Sequence, residues 1–126
     1  MASRGAVAKN GHVTTDAYKV IRQVYDAKVL VGTEHAHGLP DYAHTPNSKY
    51  IKENADGSFR EMRVYNNEGR LVLEIAYHCE ESLTGNRHEP VLHYHTYDEK
   101  LTHSKAYPMT EKLKEKYREY LEAYGL

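Results

Sequence analysis

Apolar and polar positions alternate with a period of two through residues 59–65 and again through 70–78, and Asn66-Asn67-Glu68-Gly69 separates the two runs. Alternation on both sides of a turn-forming cluster that ends in glycine predicts a β-hairpin. With Val64 opposite Leu71, one face collects Met62, Val64, Leu71, Leu73 and Ile75, and the other collects Glu61, Arg63, Glu74 and His78. A third alternating run, residues 91–97, sends Leu92 and Tyr94 to the core and His93 and His95 to the opposite face. Three strands are therefore expected to converge three imidazoles, a guanidinium and two carboxylates on one polar surface.

A different period governs both ends of the chain. Ala17, Val20, Ile21, Val24 and Lys28 fit one helical stripe, with Thr14, Thr15 or Asp16 as N-cap, and predict a helix over 15–27. Val29-Leu30-Val31 could close that helix or form a short strand; periodicity does not choose. Thr110 and Glu111 open a second helix, whose stripe is Leu113, Tyr117, Tyr120, Leu121 and Tyr124 and whose stop is Gly125. Lys112, Lys114, Lys116 and Arg118, interleaved with Glu115, Glu119 and Glu122, read as its solvated face. Between these ends, residues 32–52 hold two prolines and two glycines with little apolar content, and predict a long loop of the kind that tends to be functional. The expected architecture is α+β: an antiparallel sheet made of hairpin 58–78 and strand 91–97, packed against an N-terminal and a C-terminal helix. Residues 1–13, small and without period, are expected to be a flexible terminus, and 14–126 one domain.

Length and composition narrow this picture. A chain of 126 residues is one domain's worth and long enough to bury a core without metals or disulfides. With no Trp, one Phe and twelve Tyr, the core must use aliphatic residues and tyrosine rings whose hydroxyls reach a polar rim. A formal net charge of −1 supplies no global field for RNA or DNA, so nucleic-acid binding would depend on a local patch. The single Cys79 excludes an internal disulfide. No apolar run is long enough to span a membrane, and the first residues lack the apolar segment of a secretion signal, so the expectation is a soluble chain that does not engage membranes. No G-x-x-x-x-G-K-[ST], H-E-x-x-H or G-x-S-x-G motif and no cysteine pair is present, which removes several enzyme classes.

The polar face suits one mechanism in particular, cleavage of RNA by attack of a 2′-hydroxyl on its own phosphate. A neutral histidine takes the 2′ proton, a protonated one gives a proton to the leaving 5′ oxygen, and an arginine holds the phosphorane charge. His78, His93 and His95 are the candidate acid and base, with Arg63 for the charge and Glu61 or Glu74 as base or imidazole orienter. Tyr42 and Tyr97 could stack on bases, while His44, Asn47, Ser48 and Lys49 could close the site from the loop. No metal or cofactor is required. Two alternatives remain open: a non-enzymatic phage or host interaction module whose polar face binds a protein, and a metal-dependent enzyme. For the latter, His93-x-His95 with Glu99 is similar to half of a cupin metal motif, and His78 could complete a zinc site; no second motif follows, and the strands are too few for a jelly roll.

The segments Gly38-Leu39-Pro40, residues 42–48, residues 57–63, residues 74–78 and His93-Tyr94-His95-Thr96 resemble small domains found alone or at the C-terminal ends of phage structural and secreted bacterial proteins, in the manner of polymorphic-toxin modules. The order of helix and antiparallel sheet with a His/Arg/Glu face is similar to the barnase, EndoU, colicin and RelE-like group of metal-independent ribonucleases. That resemblance implies a toxin-type endoribonuclease in which His78, His93 and His95 are catalytic and Arg60 or Arg63 binds phosphate. It further implies an RNA substrate, tRNA among the candidates, a cognate immunity protein, a cytoplasmic site of action, and delivery within a larger secreted or phage protein. The near-neutral charge departs from the usual basic ribonuclease.

Overall fold

The structure is a computed structural model that describes residues 18–32 and 38–126. The described residues form seven strands: β1 Tyr18–Val24, β2 Ala27–Gly32, β3 Lys49–Glu53, β4 Phe59–Tyr65, β5 Leu71–Cys79, β6 Pro90–Thr96 and β7 Tyr107–Pro108. Three short helices accompany them: α1 Glu81–Thr84, α2 Glu111–Lys116 and α3 Arg118–Glu122. The strands form one sheet in chain order. Every neighbouring pair is antiparallel except β2 and β3, which run parallel.

This overturns the expected α+β architecture with a helix at each end. The segment read as a helix over 15–27 is strand β1, the turn at Tyr25-Asp26 and the start of β2, as far as its described residues go; Thr14, Thr15, Asp16 and Ala17 lie outside them. Val20, Ile21 and Val24 are β-branched and stiff at χ1, and so favour strand over helix. Tyr25 takes a φ of 54° to reverse the chain, and Val24 then faces Ala27. Ile21, counted in the helical stripe, falls at a register shift in β1 and stays 48% exposed. Val29-Leu30-Val31 is strand, and residues 49–52 of the expected loop belong to β3, alongside β4. The C-terminal stripe is two helical pieces divided at Tyr117 (φ −111°, ψ 18°), with Thr110 Oγ1 accepting from the Leu113 amide at 3.1 Å to start the first.

Both sheet faces carry apolar clusters. Val29, Ile51, Met62 and Ile75 pack on one side with Tyr117, Tyr120 and Leu121 from the C-terminal helices. Leu30, Tyr50, Tyr65 and Leu71 pack on the other beneath Leu39. Full burial of each such side chain contributes about 1.5–3 kcal/mol. The hairpin register is Val64 with Leu73 and Tyr65 with Leu71, shifted by two from the expected pairing of Val64 with Leu71. A bulge between those pairs moves Leu71 away from Leu73 and into the Tyr65 cluster. Gly69 closes the turn with φ 80°, and a Cβ there would stand 2.5 Å from the Ala43 carbonyl oxygen.

Candidate functional site: an imidazole row on the open half of the sheet

Register builds the site. Arg63 of β4 faces Glu74 of β5, which faces His95 of β6; Glu61 faces Ala76, which faces His93. Partners across a ladder share a face, so Glu61, Arg63, Glu74, His78, His93 and His95 are all on one side, as the alternation predicts. They divide into two groups.

The first is an acid–guanidinium cluster. Arg63 donates from Nε to Glu74 Oε1 at 2.9 Å and from Nη1 to the Leu39 carbonyl at 2.8 Å and Asp41 Oδ1 at 3.3 Å. The Tyr97 ring lies 5.6 Å from its Cζ. Glu61 stands 3.7 Å from Arg63 Nε and hydrogen-bonds Glu74. Burial and the neighbouring Glu74 charge push the Glu61 carboxyl up to about 7. Burial would raise Glu74 too, but Arg63 outweighs it and holds Glu74 below the ordinary carboxylate range. Below about pH 7 the pair thus holds one proton, on Glu61, and one charge, on Glu74, matched to Arg63.

The second group is a row of four imidazoles packed edge to face, with centroid separations of 4.7 Å from His78 to His93, 5.4 Å from His93 to His95 and 5.3 Å from His95 to His103. Each ring's Nδ1 meets a backbone carbonyl: Cys79 for His78 at 3.0 Å, Val91 for His93 at 2.8 Å, and Ser104 for His95 at 2.9 Å and His103 at 2.8 Å. A carbonyl oxygen only accepts, so Nδ1 carries the hydrogen and the neutral ring keeps its lone pair on Nε2. His93 is fully buried, and its Nε2 has no hydrogen-bond partner among the described residues. Burial, with His78 and His95 adding to it, holds His93 below the ordinary imidazole range and keeps it neutral at pH 7. Glu80, just past β5, brings Oε1 to 3.9 Å from that Nε2, while its Oε2 accepts from Ser82 Oγ at 2.9 Å.

The remaining candidates scatter. Lys49 pairs with Asp26 at 3.0 Å and lies over the Tyr120 ring, away from the imidazoles. His44 and Asn47 are exposed in the loop, Ser48 bonds the Thr45 carbonyl at 2.7 Å, and Tyr42 pairs with Arg70. Arg60 lines a 310 Å³ pocket with His78 and with Phe59, Tyr77 and Tyr124, three rings of the Met62 cluster on the opposite face of the sheet. Glu80 and His103 were not among the sequence candidates. Both sit in connections, where no period marks a face; the sole cue for Glu80 was its place directly after the strand carrying His78. Comparison with protein families, curated proteins and solved structures finds no match to this chain.

Proposed function

We propose that this domain is a metal-independent endoribonuclease of the toxin type, cleaving RNA to a 2′,3′-cyclic phosphate with the partly exposed His78 and His95 as proton carriers. The observation behind this reading is the shared anchoring of the row. Carbonyls hold every Nδ1–H, so each Nε2 lone pair is preset as a base, and a ring protonated at Nε2 is preset as an acid. One imidazole Nε2 takes the 2′-hydroxyl proton as that oxygen bonds to phosphorus. The P–O5′ bond breaks, and the second imidazolium returns a proton to O5′. Arg63, whose Nε and Nη1 are engaged by Glu74, Leu39 and Asp41, serves to fix Glu74 opposite His95. Arg60, which lines a pocket together with His78, supplies the cation for the phosphate.

The test is incubation of the purified chain with total RNA and tRNA in EDTA between pH 5 and 8. Cleavage is expected, with 2′,3′-cyclic ends, and His95→Ala or His78→Ala should reduce it at least a hundredfold, the usual scale of an acid–base contribution. RNA left intact by the wild type, or cleaved only after a divalent metal is added, would overturn the reading.

A further inference from the structure

We propose that Glu80, His93 and His95 form a binding site for one divalent transition-metal ion of the zinc class. One ligand atom from each of these three side chains lies within 4.8 Å of the others. Ligands of a tetrahedral ion with bonds of about 2.0–2.1 Å stand about 3.4 Å apart, so closure needs an inward movement of about an ångström. Glu80 can supply most of it, being on the connection after β5 and only partly buried.

The independent sign is His93 itself. A fully buried imidazole nitrogen without a hydrogen-bond partner is rare in folded proteins, and this one faces a carboxylate oxygen 3.9 Å away, too far for a hydrogen bond. A cation placed between them satisfies both atoms. Each ligand is also braced on its far side, as metal ligands are: His93 Nδ1 by the Val91 carbonyl, His95 Nδ1 by the Ser104 carbonyl and Glu80 Oε2 by Ser82 Oγ. These contacts turn His93 Nε2 and Glu80 Oε1 toward the same point and leave His95 Nε2 available. Two imidazoles and one carboxylate select Zn²⁺, Co²⁺ or Ni²⁺ over Mg²⁺ or Ca²⁺, which prefer all-oxygen shells.

The consequence for activity rests on the ribonuclease reading above. An ion on His95 Nε2 occupies the lone pair that the reaction needs, so zinc switches RNA cleavage off.

The full chain, purified without a histidine tag and stripped with chelator, should be titrated with Zn²⁺ alone against a chromophoric chelator, and with Co²⁺ for its visible spectrum. One ion per chain is expected, with an intense four-coordinate cobalt absorption. Glu80→Ala and His95→Ala should each weaken zinc binding at least tenfold, and His88→Ala, on an exposed loop residue, should leave it unchanged. Failure to bind one zinc, or binding indifferent to both Glu80→Ala and His95→Ala, overturns the site. In parallel, RNA cleavage should fall with the same zinc midpoint as binding. Undiminished cleavage by zinc-saturated protein overturns the switch. Zinc binding lost in the two variants, in a chain that leaves RNA intact when metal-free, supports the site and removes the ribonuclease reading instead.

Discussion

Replacing Glu61 by glutamine should flatten the pH dependence of stability between pH 4.5 and 7. Around Glu61 stand Glu74 on β5, to which it is hydrogen-bonded, Arg63 on its own strand at 3.7 Å, Arg60 at 4.0 Å and Lys52 on β3. Burial and the Glu74 charge prevail, raising the carboxyl from 4.5 to about 7. At about 1.4 kcal/mol per pH unit, this displacement corresponds to on the order of 3 kcal/mol. The sign follows from proton binding. The folded state holds the Glu61 proton more tightly than the unfolded chain, so the contribution is complete below pH 4.5 and is lost as pH rises through about 7. Glu74, held below its ordinary range, contributes with the opposite sign and at lower pH, outside this window. Glutamine keeps a donor for Glu74 and never ionises. Urea denaturation at pH 5 and pH 8 should find the two proteins within about 1 kcal/mol of each other at the lower pH, and Glu61→Gln more stable by on the order of 3 kcal/mol at the higher. Every other ionisable group is common to the two proteins, so the difference between them is the readout. Parallel pH profiles for the two would refute a proton shared by the carboxyl pair.

Gly69→Ala should destabilise the hairpin by at least about 1–3 kcal/mol, because φ is 80° and the new Cβ meets the Ala43 carbonyl oxygen at 2.5 Å; the thermal midpoint reports it. Met62→Ala, at a fully buried position between the sheet and the C-terminal helices, should cost about 2–5 kcal/mol in urea unfolding, with an unchanged denaturant slope if only packing is lost.

The central hairpin and third strand were legible because one side of each strand is oily and the period-2 code is strict there. Met62, Val64, Leu73 and Ile75 share a face as their spacing requires, and His93 and His95 share the other. The code failed where a bulge intervenes: Leu71 has the right parity for the Met62 face, yet the shift beside Tyr65 turns it to the opposite cluster. It failed more completely at β1. Burial along that strand alternates only over Tyr18–Ile21 and is broken by the register shift beside Ile21, so a spurious 3.6-residue spacing stood out instead. Parallel pairing of β2 with β3 rests on contacts across a long connection, which local pattern does not encode. Loop contributors to the site, Glu80 and His103, were hidden for the same reason.

The polar face is not one chemical surface but two, and the division decides which residues are free to act. Arg63 is the natural phosphate ligand by residue type, yet its Nε and Nη1 are spent on Glu74, Leu39 and Asp41, and removing it would leave the Glu74 charge buried without its partner. Below about pH 7 Glu61 keeps its proton, and the guanidinium and carboxyl pair are then internally neutral save for the exposed Asp41. A compensated cluster of this kind holds the strands in register and fixes what stands beside it. The imidazoles have no such closure. Their Nδ1 atoms are bound, their Nε2 atoms are not balanced by any neighbouring donor at His93, and Glu80 approaches without completing a bond. A buried acceptor left unsatisfied is rare in folded proteins, and a catalytic role or a bound ion is among the things that account for one. On this face that acceptor sits at the ring edge of His93 and His95, and the proton chemistry and the metal binding proposed for the domain meet at His95, whose Nε2 lone pair both require.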